Sequence, residues 1–234
     1  MIREQVYGRR AVREVLRGRR DVLELWASER ALRGEPWLRD GGRRIKVKTE
    51  RELTEAAGTT DHQGVLAHCE PYRYGDAYEL ASAPDPLLVC LDQVTDPHNL
   101  GAVCRAAEAA GATGVVVPSH NSARVTPAVC RSSAGAVEHL PVAVVTNLAR
   151  YLGEIKGPRL WVWGATAAAA TPLWDADLRG GVALVLGAEG RGLRPLVRRA
   201  CDAEVSIPLA GRTESLNVSV AAAVLLYEVR RQRG

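Results

Sequence analysis

The chain has 234 residues, 47% of them hydrophobic and 25% charged, with 31 Lys and Arg against 27 Asp and Glu for a formal net charge of +4. That composition is globular, long enough for one large domain or a small one joined to a medium one, and it excludes disorder as the main theme. No apolar run reaches the roughly 18 residues of a membrane span and no charged-then-apolar leader follows Met1, so neither a membrane span nor secretion is expected and the expected setting is the cytoplasm.

From Tyr7, helical and strand-like segments alternate: GRRAVREVLRG, DVLELWAS, a helical ERALRGEPWLRD, RRIKVKT, ERELTEAAG and GVLAHCE. They predict a small α/β sandwich over residues 1–70. Residues 71–86, PYRYGDAYELASAPDP, hold Pro71, Pro84 and Pro86 and no sustained apolar period, and read as a linker. From 87 to 234 the βα rhythm is stricter. Strands LLVCL, GVVVP, LPVAVV, RLWVWGAT, VALVLG and EVSIPL alternate with helices from about Asn99 to Ala110, around Pro127 to Ala134, over NLARYLGEIKG, over LRPLVRRA, and at the C-terminus. Short, continuous, valine-rich runs suit strands buried on both faces, hence an α/β fold with a mostly parallel sheet and helices on both sides. In such sheets ligands sit beyond the carboxyl ends of the strands.

Seven arginines fall within residues 1–20, against Glu4 and Glu14, and Arg191, Arg194, Arg198 and Arg199 form a second knot. Each cluster alone reads as readily as a solvated helix face; two in one basic chain point to RNA. The five cysteines form no C-x-x-C pair and mostly lie in apolar runs, as reduced core thiols do. The five histidines lack any metal-ligand spacing, so no metal is expected.

Three strand ends carry chemistry. In DQVTDPHNLGAVCRAAEAAG, Asp96-Pro97 makes a turn, Asn99 can cap the next helix, Gly101 removes a side chain where something must approach, and Arg105 follows; a bare cap with a solvated arginine would look the same. LVLGAEGRGLRP ends a strand in three glycines around Glu189, which suits close approach to a ligand or simply a sharp turn, and it spells neither a P-loop nor G-x-G-x-x-G. In SIPLAGRTESLNVSV, Ser215 can cap the terminal helix. Asn217 and Ser219 then fall near its first turn, where backbone N–H groups lack internal partners, and capping by Ser215 leaves both unexplained.

These three blocks, in this order and spacing, resemble the three motifs of the SpoU (TrmH-like) family of RNA 2'-O-methyltransferases. VYGRRAVREVL, HQGVLA, SSAGAVEHLPV and VTNLAR further resemble the branch that methylates a 23S rRNA guanosine ribose. The resemblance implies a knotted (trefoil) α/β methyltransferase domain, S-adenosylmethionine as cofactor, RNA as substrate, a homodimer, and an N-terminal module similar to ribosomal protein L30 that binds RNA. It implies catalytic roles for Arg105, Asn99, Glu189, Ser215 and Asn217. Gly187, Ile207 and Leu216 would be the main cofactor contacts, with Leu186, Leu209 and Gly164 nearby, and no metal takes part. Two other readings share the pattern: a tRNA 2'-O-methyltransferase, which usually lacks the N-terminal module, and a catalytically silent RNA-binding assembly factor, which would be expected to have lost Arg105 or Asn217. A nucleotide-dependent oxidoreductase would need a glycine fingerprint after LLVCL, and none is there.

Overall fold

Two sheets organise the chain in the computed structural model, which describes residues 3–42, 44–188 and 190–234. The first is built from β1 (Glu4–Tyr7), α1 (Arg9–Val15), β2 (Val22–Ala27), α2 (Glu29–Gly34), β3 (Ile45–Val47), α3 (Glu50–Ala57) and β4 (Val65–Cys69), with strand order β1-β4-β2-β3. The sequence reading began at Tyr7 and omitted β1. That strand has four residues with only Val6 buried, too few for a period to show. Helix α3 starts as its sequence dictates: Thr49 Oγ1 accepts from Glu52 N–H while the Glu52 carboxylate accepts from Thr49 N–H at 2.8 Å, a reciprocal cap, and Gly58 at φ 66° ends it.

Residues 71–86, expected as a linker, carry a short helix, α4 (Ala77–Ala81), capped by Asp76. Gly75 N–H donates to Val142 O at 2.9 Å, the Tyr72 hydroxyl accepts from Val142 N–H at 3.1 Å, and the Tyr74 hydroxyl accepts from Val125 N–H at 3.1 Å. Aromatic side chains, rather than an apolar period, fasten this stretch along the sheet that follows, and so the hydropathy pattern missed it.

The second sheet comprises β5 (Leu87–Asp92), α5 (Pro97–Ala109), β6 (Gly114–Pro118), α6 (Pro127–Ser132), β7 (Val142–Val145), α7 (Leu148–Ile155), β8 (Leu160–Ala165), β9 (Gly181–Gly187), α8 (Pro195–Ala200), β10 (Ala203–Val205) and α9 (Val218–Arg233). Its order is β10-β8-β9-β5-β6-β7 and every pairing is parallel. Alternate residues of β5 divide between two cores: Leu87, Val89 and Leu91 pack with α5, α6 and α9, and Leu88 and Cys90 with α7 and α8. The chain leaves β5 toward β6 and β7, crosses to β8, and returns to lay β9 against β5. The carboxyl ends of β5 and β9 therefore flank the point where strand order reverses, the usual place for a ligand crevice.

The two sheets meet on a buried ion pair. Arg20 Nε donates to Glu138 Oε2 at 2.9 Å, its second terminal nitrogen pairs with Glu138 Oε1, and Nη1 reaches Glu4 at 3.2 Å. Arg20 is thus the one of the seven leading arginines that is buried away from any phosphate, while Arg3, Arg10, Arg13 and Arg19 are exposed with no ion pair among the described residues. All five cysteines are free thiols, and burial pushes Cys69, Cys104, Cys130 and Cys201 up to about 12, beyond use as nucleophiles. Among the described residues no helix is long and apolar enough to cross a membrane, and no cluster of His, Cys, Asp and Glu could hold a metal.

Candidate active site

Helix α5 is capped by Asp96, not by Asn99: its carboxylate accepts from His98 N–H at 2.8 Å, and Pro97 takes the first helical position, where no donor is needed. With the cap supplied by Asp96, Asn99 lies half-buried on the first turn and is not needed to begin the helix. Gly101 does meet a close approach, but from α6: a Cβ there would lie 1.9 Å from Ser132 Oγ and 2.9 Å from Ser133 N. The glycine serves a helix crossing.

Helix α9 is capped by Asn217, not by Ser215. Asn217 Oδ1 accepts from Ser219 N–H at 2.9 Å and from the Ser219 hydroxyl at 2.6 Å, while Ser215 is exposed and makes no hydrogen bond among the described residues. The other end of the same amide crosses to the first block, Asn217 Nδ2 donating to Asn99 Oδ1 at 3.0 Å. One side chain therefore caps its own helix and ties it to the start of α5, along which α9 packs.

Arg105 stands six residues beyond Asn99, about a turn and two-thirds along the helix and roughly 240° round it, so it projects from a different face. It is exposed and makes no hydrogen bond or ion pair among the described residues. No hydrogen bond among the described residues joins it to Asn99 or Asn217.

Strand β9 ends at Gly187, which lies in register with Asp92 at the end of β5. The loop beyond folds back through a bridge between Ala188 and Gly192, and a Cβ on Gly187 would sit 2.2 Å from the Gly192 carbonyl carbon and oxygen. Only glycine admits that return. Glu189, given a catalytic role by the family resemblance, lies outside the described residues. The loop is anchored by a residue the sequence reading missed: Asp92, fully buried, accepts from Arg194 N–H at 2.8 Å and from Arg194 Nε at 2.7 Å. A carboxylate closing the apolar run LLVCL was the available signal, since a buried charge demands a partner. Arg198 is likewise committed internally, to Glu204, so two members of the second arginine knot serve the fold.

Of the six residues expected at the cofactor, Leu186 and Gly187 close β9, and Gly164 lies one residue from the end of β8, its open side filled by Leu193 and Cys201. Ile207, Leu209 and Leu216 lie on the stretch joining β10 to α9. Residues 207–216 make no hydrogen bond, backbone or side-chain, among the described residues, although they run past the carboxyl ends of the sheet. Backbone donors and acceptors left unpaired need water or a ligand, and an uncharged row of them suits the adenine edge and amino-acid end of S-adenosylmethionine. The residues present fit that group.

A model of the SpoU rRNA methylase family matches residues 86–227, and a model described as RNA 2'-O ribose methyltransferase substrate binding matches residues 5–75. The chain is 41% identical over 238 residues to the 23S rRNA (guanosine-2'-O-)-methyltransferase RlmB of Shewanella oneidensis, covering 97% of each. It is 42% identical over 247 residues to an uncharacterized tRNA/rRNA methyltransferase of Synechocystis sp., with 98% of this chain covered but 62% of that relative, so it spans less than two thirds of the longer protein. The SpoU methyltransferase AviRb from Streptomyces viridochromogenes, solved in complex with the cofactor AdoMet, superposes with a TM-score of 0.82 at 28% identity, covering 98% of this chain and 90% of that one. With a family model spanning more than half its length and relatives above 40% identity along nearly all of it, the chain belongs to the SpoU rRNA methylase family.

Proposed function

We propose that this protein is an S-adenosylmethionine-dependent RNA 2'-O-methyltransferase that modifies a guanosine ribose of 23S rRNA, acting in the cytoplasm as a homodimer with a trefoil-knotted catalytic domain. The observation that carries the reading is the Asn217–Asn99 bond, which joins the first and third blocks at the crevice beside β5 and β9. The named activity of the Shewanella relative, aligned over 97% of this chain, supplies the substrate class. A tRNA substrate is disfavoured by the substrate-binding match over residues 5–75, and a silent assembly factor by the presence of both Arg105 and Asn217.

When bound, S-adenosylmethionine supplies a methyl group already activated as a sulfonium. The task left to the chain is to position the ribose hydroxyl and stabilise the charge that grows on its oxygen. Arg105, permanently charged and without an ion-pair partner among the described residues, supplies that stabilisation and cannot itself take the proton. Asn99 and Asn217 hold the two helix starts in one geometry, Ser215 with Asn217 completes the pocket, and the role the family resemblance gives Glu189 is to fix the active-site loop. Backbone groups around Leu186, Gly187, Ile207, Leu209 and Leu216 hold the cofactor, with Gly164 shaping the strand end. Residues 1–70 capture RNA through Arg3, Arg10, Arg13 and Arg19, residues 71–86 join the two parts, and residues 87–234 perform the transfer.

The test is mass mapping of ribose methylation in 23S rRNA and tRNA from cells with and without the protein, paired with transfer of labelled methyl to 23S fragments in vitro. One 2'-O-methylguanosine should disappear from 23S rRNA on deletion and be restored by the purified protein. A change confined to tRNA, or no change, overturns the proposal.

A further inference from the structure

The carboxyl ends of β5, β6 and β7 surround a cavity of about 410 Å³ on the α7 and α8 side of the sheet, away from α5 and α9. Pro118, Pro195 and Leu196 give it flat apolar walls; Gln93, His120 and Asn121 put polar groups around it. Those three polar side chains make no hydrogen bond among the described residues, and Leu196, 65% exposed, is the most exposed large apolar residue described. None of the residues lining the cavity is a carboxylate, and its Arg194 is neutralised by Asp92.

Two features show a built site rather than a surface accident. Gln93 and Asn121 both hold left-handed backbone, at φ 59° and 52°, a conformation that costs a side-chain-bearing residue free energy and persists where the surroundings impose it. The segment carrying Asn121 is braced: Ala123 N–H donates to Val94 O at 2.8 Å and Arg124 Nη1 to Pro118 O at 2.9 Å. The cavity also shares its chain with the candidate active site, because Gln93 follows Asp92 and the same loop runs on to the cap of α5.

We infer that this cavity receives one unstacked nucleobase of the RNA substrate. The inference rests on the proposed RNA methyl transfer and adds a substrate subsite to it. A base needs a flat apolar surface against its ring and both donors and acceptors at its edge, which the prolines and Leu196 and the two amides with the imidazole provide. The neutralised arginine and the absence of carboxylates leave the phosphates flanking that base unopposed. An isolated anion, by contrast, would find no uncompensated cation here.

Asn121→Gly is the cleanest probe, because it keeps the left-handed backbone and removes only the amide. Leu196→Ala removes a wall and Leu196→Asp adds a repelling charge, both at an exposed position that the fold does not need. With a 23S fragment as substrate, each variant should raise the KM for RNA, by about fivefold for the wall, the lower end of the span for losing an aromatic stacking surface, because Leu196 is aliphatic. Cofactor affinity by calorimetry should stay within about twofold of the unmodified protein. Photocross-linking of the full-length protein to the fragment carrying 6-thioguanosine should map to residues 93–95, 118–121 or 194–197. An unchanged KM in all three variants, loss of cofactor affinity instead, or cross-links confined to other segments overturns the inference. If the unmodified protein transfers no methyl at all, the proposed function fails, and the cross-link map alone still decides the subsite.

Discussion

Asn217 Nδ2 donates to Asn99 Oδ1 at 3.0 Å across 118 residues of chain, while the Oδ1 of the same Asn217 caps α9. The two functions separate by substitution. Asn217→Asp keeps an oxygen for the cap but loses the donor and sets a carboxylate against the Asn99 oxygen. It should stay folded near the wild-type melting temperature and lose at least about tenfold in methyl-transfer rate. Asn217→Ala loses the cap too and should also cost about 1 kcal/mol of stability. Thermal melts run beside single-turnover assays test this; wild-type rates in both variants would remove Asn217 from the site.

Arg105 tests the catalytic assignment. Because it is exposed and unpaired among the described residues, Arg105→Ala should leave melting and cofactor affinity nearly unchanged. If it stabilises charge on the 2'-oxygen, the transfer rate should fall by roughly two to three orders of magnitude. Arg105→Lys keeps the charge, loses the forked geometry and should recover part of the rate. Single-turnover transfer to rRNA fragments measures both, and full activity in the alanine variant would exclude the role.

Arg20 and Glu138 make the two sheets interdependent. Their side chains are 5% and 1% exposed, so Arg20→Ala strands a buried carboxylate and should cost about 3–5 kcal/mol in denaturant unfolding. Arg20→Met with Glu138→Leu should recover most of that. Removing residues 1–70 strands the same carboxylate. The truncated chain is therefore best compared as Glu138→Gln, which should bind cofactor normally yet capture RNA far more weakly, with the arginine contacts to phosphate gone. Equal RNA binding by the truncated and whole proteins would refute the assignment of residues 1–70.

His68 gives the first sheet a pH dependence. Burial holds its imidazole below the usual histidine range; Glu24 opposes this, and Arg3 and Lys46 reinforce it. Its ring meets Trp26 edge-on at 4.8 Å, and Nε2 is buried with no hydrogen-bond partner among the described residues. The unfolded chain takes up a proton below about pH 6.5 while the folded chain resists it. Stability is therefore complete above that pH and falls as the solution is acidified toward the lowered folded value. Denaturation midpoints between pH 7.5 and 5.5 should decline more steeply in the wild type than in His68→Leu, which retains every other histidine. Equal slopes would show that His68 does not titrate in this way.

What the amino-acid sequence determined by itself was local. Continuous apolar runs such as LLVCL and VALVLG state their own burial, and the helices between them follow from short-range period and punctuation, so the alternation of elements was legible from residue 87 onward. The three motif blocks were legible for the same reason, each being contiguous. The caps were misplaced because DPHN and SLN each offer two or more residues able to cap, and a helix begins where its apolar face docks; that choice moved the caps to Asp96 and Asn217. Only the tertiary structure decided which distant groups meet: Asn99 with Asn217, Asp92 with Arg194, Arg20 with Glu138. Each bond depends on strand order and helix crossing, which arise from packing the whole chain, and a periodicity of two or 3.6 residues carries no information about partners a hundred positions away.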